Sequence, residues 1–110
     1  MIEVFYRYHV HPAQHAAFRQ AYGPNGPWGR LFSQAPGFIR TRLFAHRREP
    51  NVFVTIDVWR SKADYDRFRS ERSLEYARLD RELHLLYLEE LLLGYYEGAD
   101  EYRATLDTMA

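Results

Sequence analysis

Nine tyrosines, seven phenylalanines and two tryptophans crowd this chain of 110 residues, and the tyrosines are the side chains with most scope for chemistry. Aromatic rings at this density fill a core, cover an interface or wall a pocket for a flat ligand. Tyr6 and Tyr8 alternate on one face of a strand-like run, whereas Tyr65 and Phe68 share a helical face three residues apart. Buried tyrosines usually find a backbone partner, so Tyr6 and Tyr8 serve structure or a pocket, and Tyr65 and Phe68 serve core or ligand. Trp59 is either an interface anchor or a pocket wall. Other chemistries are less well supported. The absence of cysteine removes disulfides, thiolate nucleophiles and zinc-thiolate sites. His9, His11 and His15 lack a carboxylate spaced to complete a metal site, which leaves them solvated or at a dimer rim. No serine, histidine and acid fall in a hydrolase order, and Glu3, Asp57 and Asp64 form no obvious acid pair. The segment Gly23-Pro24-Asn25-Gly26-Pro27-Trp28-Gly29 has glycines but no lysine for a phosphate cradle.

These side chains need elements to position them. Ile2 to Val10 alternates as a first strand that ends at His11-Pro12. Pro12 then opens a helix to about Tyr22, with Ala17, Phe18, Ala21 and Tyr22 as its apolar stripe. The glycine and proline run breaks it, and helix resumes with Trp28, Leu31, Phe32 and Ala35 until Pro36-Gly37. Phe38 to His46 is a second strand, joined by a polar turn to a third over Asn51 to Trp59. Ser61 caps the next helix, with Asp64 placed to reach back to the cap. Another helical stretch begins near Ser73, its stripe formed by Tyr76, Leu79, Leu83 and Leu86. Leu91 to Glu97 reads as the fourth strand. Beyond it, Tyr102, Leu106 and Met109 form at most a weak helix.

The order strand, helix, strand, strand, helix, strand is that of an α+β, ferredoxin-like split βαβ fold with a four-stranded antiparallel sheet and its first and third strands central. Residues 1–97 form the single domain and 98–110 a C-terminal extension. The third strand has two distinct faces: Val52, Val54, Ile56 and Val58 on one, Phe53, Thr55, Asp57 and Trp59 on the other. We expect the aliphatic face to lie under the helices. The other face, with Phe5, Arg7, His9, Phe38, Arg40, Arg42 and Phe44, would meet a second subunit, and Asp57 would pair with Arg7, Arg40 or Arg42. Fifteen basic and fifteen acidic residues cancel, so nucleic acid and anionic membrane are poor partners. With no apolar run long enough to span a bilayer and no signal segment, a soluble, cytoplasmic protein is expected.

The blocks VFYRYHVHP, AYGPNGPWGRLFSQAPGF, VTIDVWRSKADYDRF and LGYYE carry a resemblance. Over Ile2 to Glu97 the chain resembles the antibiotic-biosynthesis monooxygenase (ABM) family of dimeric α+β barrels. The resemblance implies a homodimer joined through its sheet faces, with a cavity between sheet and helices in each subunit. Some members oxidise aromatic polyketides without metal or flavin, and others degrade haem. The haem branch uses an asparagine on the first strand, a second tryptophan and a histidine; Tyr6, Phe68 and Arg78 occupy those places here, so haem degradation is disfavoured. His84 lies too far along to substitute.

The cofactor-free branch implies Trp59, Tyr65 and Arg78 as catalytic residues, with Thr55 in the place of an amide. Tyr6, Tyr8, Thr55, Phe68 and Tyr76 are the expected substrate contacts, with no cofactor and no metal. That chemistry needs a dry pocket, an aromatic wall for a flat phenol, and groups that favour its anion, since the anion itself gives an electron to oxygen. The resulting expectation is a cofactor-independent monooxygenase of small phenolic or polyketide-like aromatics. Its alternative is a non-catalytic ligand-binding or structural dimer on the same scaffold. A cavity of drug-like volume would favour the first; one filled by Tyr6, Tyr8 and Phe68 would favour the second.

Overall fold

The computed structural model of the protein describes residues 1–104. Four strands, β1 (Ile2–Val10), β2 (Phe38–Ala45), β3 (Val52–Trp59) and β4 (Tyr87–Glu97), form one sheet in the order β2-β3-β1-β4. Every neighbouring pair is antiparallel. Four helices, α1 (His15–Tyr22), α2 (Pro27–Phe32), α3 (Lys62–Glu71) and α4 (Ser73–Leu83), complete the α+β fold. Pro12 starts a short 3-10 turn ahead of α1, and Pro27 occupies the first position of α2, where its missing N–H costs nothing. β4 begins at Tyr87, four residues earlier than expected, after a 3-10 turn over His84–Leu86. Leucine-rich sequence suits helix and strand alike, and pairing with β1 settled the competition. Tyr102 is exposed, outside any helix or strand, while Leu106 and Met109 of the expected weak helix lie outside the described residues.

The faces of β3 are the reverse of the expectation. Phe53, Thr55, Asp57 and Trp59 are buried under the helices, and Val52, Val54 and Ile56 lie on the outer face and stay half-buried. The cause is register. β1 pairs with β3 so that Ile2 stands opposite Trp59, Val4 opposite Asp57, Tyr6 opposite Thr55 and Tyr8 opposite Phe53. Residues directly opposite in an antiparallel pair point to the same side, so whatever β1 sends toward the helices takes its β3 partners along. The helical layer is itself aromatic, and Phe18 meets Phe53 with ring centroids 5.2 Å apart. Aliphatic content was therefore a poor guide to the core side.

Two further expectations fall with it. Asp57 points inward to Thr41 rather than outward to Arg7, Arg40 or Arg42. Phe38 also turns inward, onto Trp59 and Phe32, because a register shift at Ile39 changes the phase of β2. Arg40, Arg42 and Phe44 remain on the outer face with Phe5, Arg7 and His9. β4 has a similar irregularity beside Gly94, whose φ of 144° suits glycine. Past it, Tyr95 returns inward against Tyr65 while Tyr96 packs outward on Phe5.

Trp59 closes one end of the core. It is fully buried, with the rings of Phe68, Phe38, Tyr65 and Phe32 at 5.1, 5.2, 5.6 and 5.8 Å. Just after it the chain turns into α3 through a small polar knot. The Asp64 backbone N–H donates to Ser61 Oγ at 3.1 Å, and the Asp64 carboxylate accepts from the Ser61 hydroxyl and from Arg60 Nε at 2.9 and 2.8 Å. These donors hold the Asp64 carboxyl below the usual carboxylate range. Gly37 packs against the same carboxylate with φ 92°, and a Cβ there would sit 2.5 Å from Asp64 Cγ. We expect Ser61→Ala to cost about 1 kcal/mol in urea denaturation. Gly37→Ala should cost more, about 1–3 kcal/mol, because it adds backbone strain to a steric clash.

Candidate active site

Between the inner face of the sheet and the helices lies a cavity of about 20 Å³. That is room for about one water. Thr55 and Asp57 of β3, Thr41 of β2 and Tyr6 and Tyr8 of β1 form its sheet wall. Tyr22 of α1, Trp28 and Phe32 of α2 and Tyr76 of α4 form its helical wall, and Glu90 of β4 reaches its edge. A larger open hollow of about 330 Å³ lies among α1, the start of α2 and Leu83 and Leu86, but no carboxylate or phenol lines it. The smaller cavity is where the chemistry collects.

Asp57 is its unusual member. It sits in the middle of the sheet at 9% exposure, accepts a 2.5 Å hydrogen bond from Thr41 Oγ1, and has no other hydrogen-bond donor among the described residues. No lysine or arginine lines the cavity. Burial therefore pushes its carboxyl up to about 6, and the Thr41 bond only partly opposes this. Across the cavity, the Tyr8 hydroxyl donates to Glu90 Oε2 at 2.8 Å. Burial and the neighbouring carboxylate raise Tyr8 well above the usual phenol value, and burial raises Tyr22 and Tyr76 as well. The phenols thus stay protonated around neutrality and act as donors. Burial also raises Glu90, while its Tyr8 bond works against that. Proton acceptance in this cavity falls to the two carboxylates.

Of the residues singled out from sequence, Tyr6, Tyr8, Thr55 and Tyr76 line the cavity. Trp59 and Phe68 stand in ring contact with each other outside that lining, fully buried in the core. Tyr65 is buried beside Trp59, and Arg69 Nη1 donates to its hydroxyl at 3.0 Å. Arg78 is exposed on α4 and does not line the cavity. Arg69 is the arginine that joins the tyrosines: its guanidinium lies 3.8 Å from the Tyr76 ring centroid. Its position one helical turn after Tyr65 was a readable signal. Asp57, Thr41, Tyr22, Trp28, Phe32 and Glu90 also line the cavity without having been foreseen there. Asp57 had a sequence signal, as the lone acid on an aromatic strand face, but the inverted face assignment sent it to the interface. Among the described residues no group of three or more His, Asp or Glu could hold a metal ion. His15 Nε2 instead meets Asn51 Oδ1 at 2.8 Å.

A family model described as "Antibiotic biosynthesis monooxygenase" matches residues 1–78. The chain belongs to the antibiotic biosynthesis monooxygenase family. Solved structures share its fold. A variant of SnoaB, a cofactor-independent oxygenase from Streptomyces nogalater, is 23% identical with a TM-score of 0.69, covering 91% of this chain and 94% of that one. A proposed antibiotic biosynthesis monooxygenase from Bordetella bronchiseptica is 14% identical with a TM-score of 0.70, covering 89% and 96%. A protein from Pseudomonas aeruginosa is 15% identical with a TM-score of 0.64, covering 90% and 94%. No curated protein matches the sequence. In this ABM chain the family match takes in β1 to β3 and α1 to α3 with most of α4, and hence every cavity residue except Glu90.

The raised Asp57 carboxyl has a consequence for stability. The folded state holds this proton up to about pH 6, whereas the unfolded chain releases it near 3.8, the ordinary carboxylate value. The folded state binds more protons between those values, so stability falls as pH rises through that window and stays low above it. Asp57→Asn should therefore stabilise the protein at pH 8 by about 2–3 kcal/mol while changing little at pH 3.5. Thermal denaturation of both forms at the two pH values measures the difference.

Proposed function

We propose that this ABM protein is a homodimeric, cofactor-independent monooxygenase of small phenolic or polyketide-like aromatics. One observation carries the reading: a cavity walled by aromatic rings contains a buried carboxylate with no cation beside it. Tyr6, Tyr8, Thr55 and Tyr76 contact the bound ring in this reading. Tyr65 and Arg69, which hydrogen-bond to each other beside Tyr76, favour the anionic substrate. Trp59 and Phe68 hold the wall from behind. For an anthrone-type methylene, oxidation by one dioxygen yields a carbonyl and one water. Electrons come from the substrate anion, which is why the site's task is to form and hold that anion.

The dimer has its own support. The outer sheet face presents Phe5, Val52, Val54, Ile56 and Phe44 beside Arg40 and Arg42, with no helix over it among the described residues. Apolar residues ringed by arginines suit a second sheet. Among the described residues no helix is long and apolar enough to cross a membrane.

The cavity's size favours a second reading. At about 20 Å³ it is filled by its tyrosines, as a non-catalytic scaffold would be. Oxygen uptake with an anthrone decides between them. The first reading expects uptake with a carbonyl product, lowered about tenfold or more in Arg69→Ala and less in Tyr65→Phe. No uptake across a panel of anthrones and polyphenols selects the non-catalytic dimer. Light scattering after size exclusion tests the assembly separately, and a monomer at micromolar concentration would remove the dimer from the proposal.

A further inference from the structure

We propose that the cavity is an enolising site: Asp57 accepts a proton from the activated C–H of an aromatic ketone, and the Tyr22 hydroxyl and Trp28 indole N–H hold the oxyanion that forms. The proposal takes its substrate class from the oxygenase reading and deepens it.

Three buried side-chain donors or acceptors lack a hydrogen-bond partner among the described residues: Tyr22 Oη, Trp28 Nε1 and Trp59 Nε1. Two of them, Tyr22 and Trp28, line the same cavity as Asp57. The Trp28 N–H lies close enough to the Tyr22 hydroxyl to oppose the rise that burial causes in that phenol, so the two donors sit side by side without meeting the geometry of a hydrogen bond. A buried donor without a partner costs about 1–3 kcal/mol, and two in one cavity await an acceptor there. They come from the helical layer, at the end of α1 and the start of α2, while Asp57 comes from the sheet. A ligand held between the layers meets donors on one side and a base on the other. An enolisable ketone needs this pairing, because its carbonyl oxygen gains negative charge as its α-carbon loses a proton.

The step balances without a redox partner. The C–H bond breaks and its hydrogen goes to the Asp57 carboxylate as a proton. The C–H electron pair becomes the enolate double bond, and the carbonyl π pair moves to oxygen. Asp57 becomes neutral, which its surroundings favour. Facing it are Tyr6 and Tyr8 from β1, Thr41 from β2, Thr55 from its own strand, Tyr22 from α1, Tyr76 from α4 and Glu90 from β4. Arg69 of α3 lies beyond Tyr76. Half-buried Tyr6 and Tyr76 and exposed Glu90 mark the open side, where a ring enters only if these side chains turn aside.

Anaerobic deuterium exchange at the methylene of 2-indanone, followed by proton NMR, tests the proposal without oxygen chemistry. The wild type should exchange the probe about a hundredfold or more faster than buffer, and Asp57→Asn should lose that gain. Trp28→Phe should lose about tenfold or more. The wild-type rate should rise with pH through about 6 and then level, and Thr41→Val, which removes the bond that favours the carboxylate, should move that rise to higher pH. The wild-type profile is informative even if a variant folds poorly. Exchange no faster than buffer, or Asp57→Asn exchanging like the wild type, overturns the proposal. Oxygen uptake that survives in Asp57→Asn overturns it while leaving the oxygenase reading standing. Asp57-dependent exchange without oxygen uptake by the wild type supports the base and removes the oxygenase.

Discussion

The register of β1 against β3 governs which side chains meet the helices, and through them the core, the cavity and the outer face. Both are central strands, and their register ties Tyr8 to Phe53, Tyr6 to Thr55 and Val4 to Asp57 across the ladder. Tyr8 and Phe53 both lie in ring contact with Phe18. Once those rings lie under α1, the pleat carries Thr55 and Asp57 under the helices too. A carboxylate thereby enters a layer that is otherwise aromatic and aliphatic. The same constraint leaves the smaller aliphatic side chains of β3 facing out.

Such an arrangement has a cost that packing alone would not select. Replacing Asp57 by a neutral group of the same shape would relieve its desolvation, and the hydrogen bond from Thr41 helps to make the carboxylate tolerable. The unpartnered Tyr22 and Trp28 donors are a second departure from a well-satisfied interior. When an acceptor and two donors are left short of partners around a single cavity, the pattern fits a site prepared for a ligand better than a defect of packing. The phenols raised by burial act with this arrangement, since they remain donors and leave proton acceptance to the carboxylates.

The core's other end is closed by a different logic. Trp59 is ringed by aromatics and supports the wall, and the Ser61, Asp64 and Arg60 knot fixes the exit of β3 into α3. That exit angle brings Tyr65 and Arg69 alongside Tyr76, so the cap of a helix and the guanidinium behind the Tyr76 wall belong to one mechanical unit. Outside, the uncovered sheet face and the cavity share β3 as a wall. A second subunit over Val52, Val54 and Ile56 would stiffen the strand that carries Asp57.

Local periodicity and capping chemistry, legible along the chain, set the order of elements, the central place of β1 and β3, the Ser61 cap and the α4 stripe, and tertiary contacts did not override them. The sequence also identified the family, through blocks spread over the chain. Tyr6, Tyr8, Thr55 and Tyr76 were expected as substrate contacts, Tyr6 and Tyr8 by alternation and Thr55 by the resemblance, although alternation alone had put Thr55 on the outer face. Which side of β3 the helices cover was settled by folding alone. Alternation says which residues share a face, but with both faces apolar it has no sign, and cross-strand register with an aromatic helical layer supplied one. The same reason hid the site's chemistry: Asp57 was visible as a lone acid, yet its role depends on lying under Tyr22 and Trp28, residues more than twenty positions away that only folding brings to it.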